Sequence, residues 1–156
     1  MAEPNADPTG ATTSGGAAAD PMTMDLTILG RTVREAVDHV ECFPAPAGCT
    51  RVRFSSEELS SVCPVTSQPD LSSIVIEYEP DAHCIESKSL KLFLWSFRDQ
   101  AIFAEALSAA VAEEVMTTAA PKWVRVSVTQ RPRGGIQIET TSELGRPSDP
   151  VVPPNR

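Results

Sequence analysis

Cys63 and Asp70 stand seven positions apart in the segment ELSSVCPVTSQPD. Pro64 and Pro69 stiffen the stretch between them, because proline fixes its own backbone angle φ. A stiff loop holds a thiol and a carboxylate at a fixed separation, which covalent catalysis requires when the attacking sulfur and the proton donor must meet one substrate group. The spacing also fits a small buried cysteine in a turn that Asp70 caps, so both interpretations stay open at this point.

The segment ESKSLKLF, which begins at Glu86, is the second place where chemistry is possible. Lys88 and Lys91 are three positions apart and share one face if the segment is helical. Two cations on one face are suited to gripping phosphates, although a solvated face that joins a strand to a helix has the same pattern. The chain contains no glycine-rich phosphate loop of the GxGxxG or Walker type, which excludes a Rossmann domain.

Alternating apolar and polar residues predict strands on both sides of Cys63, at residues 50–54 and 73–78. Residues 89–97 have no clean period of two, whereas residues 102–116 place apolar side chains along one helical stripe. Pro121 ends that helix. Residues 123–128 alternate again, and two glycines separate them from the run IQIET, which predicts a closing hairpin.

The resulting order, β-β-α-α-β-β, predicts an α+β fold in which two helices cover one face of an antiparallel four-stranded sheet. Such a short sheet has open edges unless other copies of the chain pair with them. We therefore expect a homo-oligomer.

Length and composition limit the remaining possibilities. A chain of 156 residues has room for one domain, and its formal charge of -8 argues against nucleic acid as a partner. No apolar run approaches the roughly 20 residues that span a membrane, and the acidic, proline-containing start is unlike a secretory signal, so we expect a cytoplasmic protein with reduced thiols. Composition predicts a disordered tail at residues 1–23, a folded domain at 24–145 and an extended tail at 146–156.

Four sequence elements occur in a recognisable order: CPVTSQPD, ESKSLKLF, the FxE triplet that ends at Glu105, and RPRGGI. Together they resemble the short, single-domain nitrile reductases of queuosine biosynthesis, the NADPH-dependent 7-cyano-7-deazaguanine reductases of the QueF family. The ESKSLKLF string carries most weight, because it is similar to that family's signature almost letter for letter. The resemblance implies a tunnelling fold (T-fold).

The resemblance also implies a mechanism. Cys63 would add to the nitrile carbon of 7-cyano-7-deazaguanine as a thioimide, and Asp70 would supply protons. Sulfur addition makes physical sense, because an isolated nitrile accepts hydride poorly whereas a protonated C=N that bears sulfur accepts it readily. Two NADPH would then give 7-aminomethyl-7-deazaguanine. Glu105 would hold the guanine-like face with its two oxygens, and Phe103 would either pack against the ring or belong to the core.

Further contacts follow from the same resemblance. It implies NADPH contacts at Lys88, Ser89, Lys91 and Arg133, and substrate contacts at Glu86 and Ser87. The family assembles pentameric rings stacked into decamers with active sites between neighbouring subunits, which implies the same for this chain. No metal is implied, because the cysteines and histidines lack paired ligand spacing.

Two positions depart from the family pattern. Ala104 stands where the family usually has a histidine that assists proton movement, and Ser67 replaces a glycine. A glycine there suggests a positive φ, so we expect a slightly shifted loop. Divergence leaves two alternatives: a member that acts on a related 7-deazapurine, for example by transferring ammonia rather than hydride, and a purine-binding module without turnover.

Overall fold

The computed structural model describes residues 26–148. The chain forms two antiparallel sheets and two helices. The strands are β1 (Cys42–Pro44), β2 (Val52–Val62), β3 (Pro69–Glu79), β4 (His83–Ile85), β5 (Trp123–Arg133) and β6 (Ile136–Gly145). The helices are α1 (Ser87–Ser96), followed by a 3-10 turn (Phe97–Asp99), and α2 (Ala104–Ala119). The larger sheet has the order β2-β3-β5-β6, and β1 pairs with β4.

The core lies between the large sheet and the two helices. Alternate residues of the central strands are buried on the same face, including Ile74, Ile76 and Tyr78 on β3 and Val124, Val126 and Val128 on β5. Leu107, Val111 and Val115 recur at helical spacing and form the buried stripe of α2. The period of two on the strands and the helical spacing on α2 therefore meet in one apolar layer.

The predicted architecture is confirmed, because the structure has a four-stranded antiparallel sheet with two helices on one face. The strands extend further than predicted toward the Cys63 turn, and the helix predicted at residues 102–116 is α2. Ala120 takes a left-handed conformation with φ 45° directly before Pro121, which ends α2 where expected. The pair of β1 with β4 was not predicted, since each strand has only three residues.

The ends of the chain and the sheet edges are described only in part. The predicted tail at residues 1–23 and most of the one at 146–156 lie outside the described residues. Within the described part, Ser148 donates its backbone amide to the Glu79 carboxylate at 2.8 Å, so the chain crosses back over the end of β3. The described residues include no helix long and apolar enough to cross a membrane.

Candidate active site

Cys63 lies at the start of a tight hairpin turn that joins β2 to β3. Its backbone amide donates to the carbonyl of Gln68 at 2.9 Å, and the amide of Ser67 donates to the Cys63 carbonyl at the same distance. Ser67 has a φ of 56°, which confirms the expectation that this position takes the conformation glycine adopts most easily. The turn is therefore closed by its own backbone, and the thiol projects from a fixed point.

The thiol of Cys63 sits among hydrogen-bond donors. Hydrogen bonds from the Thr66 side chain, from the backbone amides of Thr66 and Val65, and from Arg133 lower its pKa to about 7, against an ordinary 9.0. Cys63 is only partly buried, so a ligand can reach it. A thiol with a pKa of about 7 is about half thiolate at neutral pH, and because it is also open to solvent it is chemically a nucleophile.

Asp70 faces the same turn from the first residues of β3. It pairs with Ser61 across the strands and is 4% exposed, and Ser72 and Gln130 are buried close by. Asp70 Oδ1 lies 2.6 Å from Nη2 of Arg133, yet no N–H points at it, and it is a buried side-chain polar atom without a hydrogen bond among residues 26–148. A buried acceptor without a hydrogen bond is rare in proteins, which marks Asp70 as a candidate functional group.

The beginning of α2 is joined to the end of β2. The amide of Val62 donates to the Gln100 carbonyl at 2.9 Å, and the amide of Ile102 donates to the Val62 carbonyl at 3.1 Å. Phe103 and Glu105 follow directly, and both are exposed. The structure thus brings Cys63, Asp70, Arg133, Phe103 and Glu105 to one end of the sheet.

Phe103 is not a core residue in this chain, since 56% of it is exposed. It precedes the first residue of α2, and its carbonyl accepts the amide of Leu107 at 2.9 Å. Ala104 is buried, and its carbonyl accepts the Thr140 hydroxyl at 3.1 Å. The neighbouring strand β6 therefore fixes the helix start that presents Glu105.

The ESKSLKLF string forms the first part of α1. Glu86 caps the helix: its carboxylate accepts the amides of Lys88 at 2.8 Å and Ser89 at 2.7 Å. Glu86 is 5% exposed, so its predicted contact with a substrate competes with this capping role. Ser87 is exposed and free to make contacts.

Ser89, predicted as a cofactor contact, is instead fully buried. Its hydroxyl donates to the Glu86 carbonyl at 2.8 Å and accepts the Glu41 amide at 2.9 Å, which leaves it no face toward a dinucleotide. Lys88 donates its ammonium to the carbonyls of Ile28, at 2.8 Å, and Arg31. The sequence missed these internal roles, because their partners are about 50 to 60 residues away along the chain.

Lys91 is exposed and lines a cavity of about 400 Å³ between α1 and β2. Ser87 and Phe54 line the same cavity. The cavity also reaches Leu59 and Ser60 on β2, and Ser60 lies three residues before Cys63. The cationic and hydroxyl groups there suit phosphate oxygens, so the residues fit NADPH.

The remaining cysteines and histidines form no comparable site. Cys42 and Cys84 are buried, and burial raises the pKa of Cys42 to about 11. His39 is exposed and lies 2.9 Å from Asp38. Among the residues described, no three His, Cys, Asp or Glu side chains are arranged to hold a metal ion.

Thr66 and Gln68 are site residues that sequence reasoning missed. The Thr66 side chain bonds the thiol, and Gln68 Oε1 lies 3.4 Å from Arg133 Nη1. Their position could have pointed to them, because both lie in the six-residue stretch between the two candidate catalytic residues, Cys63 and Asp70.

Comparison with known proteins finds several similar chains. The model of the family described as "QueF-like protein" matches residues 69–149, which include Asp70, Glu105 and Arg133. NADPH-dependent 7-cyano-7-deazaguanine reductase of Granulibacter bethesdensis is 41% identical over 132 residues, covering 81% of this chain and 86% of that protein. The protein of the same name from Syntrophus aciditrophicus is 40% identical and covers 78% and 88%.

A solved structure is similar as well. The archaeosine synthase QueF-Like in its apo form has a TM-score of 0.59 at 27% identity, covering 62% of this chain and 95% of that one. The match of more than half the chain to the family, together with these relatives, identifies the chain as a member of the QueF-like protein family.

Proposed function

We propose that this chain is an NADPH-dependent reductase that converts 7-cyano-7-deazaguanine to 7-aminomethyl-7-deazaguanine. The observation that carries the proposal is the pairing of an accessible Cys63 thiol, whose pKa is lowered to about 7, with the buried Asp70 carboxyl on the facing strand. The curated relatives named as NADPH-dependent 7-cyano-7-deazaguanine reductases support the substrate and the cofactor.

Cys63 and Asp70 carry the first step. The Cys63 thiolate forms a bond to the nitrile carbon while one π bond of C≡N breaks, and the nitrogen takes a proton from Asp70. The product is a neutral thioimide, and Asp70 is left as the carboxylate. Two molecules of NADPH would each supply one hydride, Cys63 would leave as the thiolate between the two transfers, and a second proton taken up from solvent would complete the amine.

The purine-like base is held by groups near Cys63. Glu105 offers two acceptors to a ring N–H and the adjacent amine, a match strengthened by its charge. Phe103 provides an exposed aromatic face next to it. Ser87 is a further substrate contact, and Glu86 holds Ser87 in place as the cap of α1.

Cationic side chains bind the cofactor phosphates. Lys91 and Arg133 are exposed, and Lys88 has one N–H left beyond its two carbonyl partners. We propose that neighbouring subunits contribute to one shared site, as the family resemblance implies. Both sheet edges, β2 and β6, are open to such pairing, and Ile136 and Ile138 are exposed on β6.

The oligomer we propose is a decamer of two pentamers, as the family resemblance implies. We also propose a cytoplasmic location without nucleic-acid partners. The four free cysteines are compatible with a reducing compartment, and the net charge of -8 is unfavourable for phosphate backbones.

A second candidate is transfer of ammonia to the thioimide, since the structural neighbour is named as an archaeosine synthase. The ESKSLKLF string, with its exposed Lys91, favours the reductase because transfer without NADPH has little use for it. The third possibility is a purine-binding module without catalytic turnover. The experiment below distinguishes all three.

The test mixes the protein with 7-cyano-7-deazaguanine and follows intact mass, near-UV absorbance and NADPH oxidation. A mass adduct with NADPH oxidation supports the reductase, whereas an adduct that consumes ammonia but no NADPH supports transfer. Reversible binding without an adduct supports the module. Cys63→Ala abolishes the adduct and retains binding; loss of both would contradict the assignment of the nucleophile.

A further inference from the structure

Arg133 reaches from the end of β5 across the Cys63 turn. Its Nη2 lies 2.6 Å from Asp70 Oδ1, and its Nη1 lies 3.4 Å from Gln68 Oε1. The same guanidinium helps to lower the pKa of the Cys63 thiol. One side chain therefore acts on the nucleophile, the proton donor and the turn between them.

The contact with Asp70 is one of charge without a directed hydrogen bond. Asp70 Oδ1 is buried and accepts no N–H, although the guanidinium is in contact with it. The side chain of Asp70 is 5% exposed, whereas that of Arg133 is 41% exposed. The charge of the buried carboxylate is therefore balanced by a cation that is itself partly exposed to solvent.

Two demands on Arg133 conflict. In the free protein, Nη2 of Arg133 faces the Asp70 carboxyl. Arg133 is also an exposed guanidinium of the kind that binds phosphate, and the Nη2 edge that faces Asp70 cannot face a phosphate at the same time.

We propose that Arg133 is a positioning residue with two alternative partners. In the free protein its guanidinium lies against Asp70 beside Cys63, and it leaves Asp70 for a phosphate group when the dinucleotide binds. This inference rests on the proposed function for its second partner. Its consequence is that Asp70 opposes cofactor binding.

Charged side chains lie on each of the elements that meet at this end of the sheet. They are Asp70 on β3, Glu105 on α2, Arg131 and Arg133 on β5, and Glu139 on β6. Among them, Arg133 is the one whose side chain lowers the pKa of Cys63. Removal of this cation should therefore destabilise the thiolate whether or not a cofactor is present.

The first measurement is the pH dependence of Cys63 alkylation by iodoacetamide, followed by intact mass without cofactor, in the full-length protein. Arg133→Gln should move the midpoint upward from about 7 by roughly half a unit to one unit, because a nearby cation is lost. Arg133→Lys, which keeps the charge, should restore part of the shift. An unchanged midpoint in Arg133→Gln would show that the guanidinium does not lie beside Cys63 and Asp70 in the free protein.

The second measurement is the affinity for NADP⁺, which binds without reacting, in a double-mutant cycle. Asp70→Asn should tighten NADP⁺ binding by about three- to tenfold, and the gain should vanish in the Arg133→Gln background. Asp99→Asn, which removes one exposed negative charge paired with Arg98, is the matched control and should change affinity little. If Asp70→Asn still tightens NADP⁺ binding in the Arg133→Gln background, the effect comes from the overall charge and the proposed exchange of partners is wrong. The proposal is equally wrong if Asp70→Asn does not tighten binding at all.

The two measurements separate this inference from the proposed function. If the unaltered protein fails to bind NADP⁺, both the proposed cofactor and the proposed exchange of Arg133 between two partners are wrong. The alkylation result then still decides whether Arg133 positions Cys63 and Asp70. If NADP⁺ binds but Asp70→Asn has no effect, the proposed function stands and the proposed exchange is wrong.

Discussion

The amide of Ile102 donates to the carbonyl of Val62 at 3.1 Å, and this contact fixes the start of α2 beside the Cys63 turn. Val62 is the last residue of β2, and Ile102 lies three residues before Glu105. Backbone hydrogen bonds thereby hold a helix start and a strand end in register. The proposed base-binding and nucleophilic groups depend on this register.

Glu105→Gln should weaken binding of 7-cyano-7-deazaguanine by about 10- to 100-fold, because hydrogen bonds to a charged acceptor are worth more than those to an amide. Titration calorimetry on the Cys63→Ala background measures binding without adduct formation. Glu113→Gln, on an exposed position of the same helix, is the control and should bind as before. Equal affinities for the Glu105 variant and its control would place the base elsewhere.

The rate of Cys63 alkylation should rise with pH and level off above about 7, because the thiolate is the reacting form. Thr66→Val removes the hydroxyl that contributes most to this low pKa, so its midpoint should move toward the ordinary value of 9.0. Thr66→Ser keeps a hydroxyl and should stay closer to the original profile. Matching profiles for the valine and serine variants would argue against the hydroxyl contact.

Ser67→Gly should stabilise the protein by up to about 1 kcal/mol, since a non-glycine residue at positive φ is strained and glycine is not. Urea unfolding measures the change in the free energy of unfolding. Ser55→Gly, at an exposed position of β2, should instead destabilise, because it only adds freedom to the unfolded chain. Destabilisation by both substitutions would mean that the turn does not strain Ser67.

Contacts with Ser148 and Lys122 lower the pKa of Glu79 to about 2. The stabilisation is complete above pH 4.5, the ordinary value, and is lost as the pH falls toward 2, where the folded protein also takes up the proton. Glu79→Gln should therefore flatten the fall in melting temperature between pH 4.5 and 2. Ser148→Ala should give a smaller change in the same direction, and a curve unaltered in both variants would contradict the contact.

Tyr78→Phe should destabilise the protein by about 1–3 kcal/mol, because the fully buried hydroxyl accepts the Ile85 amide at 2.8 Å and its loss leaves a buried N–H without a partner. Urea unfolding again measures the loss. The matched control, Phe54→Leu, alters a half-buried ring that stacks on Tyr78 without removing a hydrogen bond. A loss no larger than about 0.5 kcal/mol for Tyr78→Phe would show that the amide finds another acceptor.

Local pattern was sufficient to predict the fold class. Alternation of apolar residues in β3 and β5 and the helical stripe in α2 each depend on neighbours within a few positions, so they are visible in the sequence. The boundaries were less accurate: β2 and β3 continue to the Cys63 turn through serine-rich stretches that lack clear alternation. Pairing between the strands, rather than the propensity of those serines, keeps them extended.

The sequence by itself determined which groups are available: a thiol and a carboxyl in one stiff segment, two lysines in ESKSLKLF, and a glutamate after a phenylalanine. Only the tertiary structure decided what each group touches. It placed Arg133 on Asp70, used Glu86 and Ser89 to build the start of α1, and left Phe103 exposed. The reason is physical: the Glu86 cap is a local contact, but the contacts of Ser89 with Glu41 and of Arg133 with Asp70 join distant parts of the chain and depend on how the sheet and helices pack.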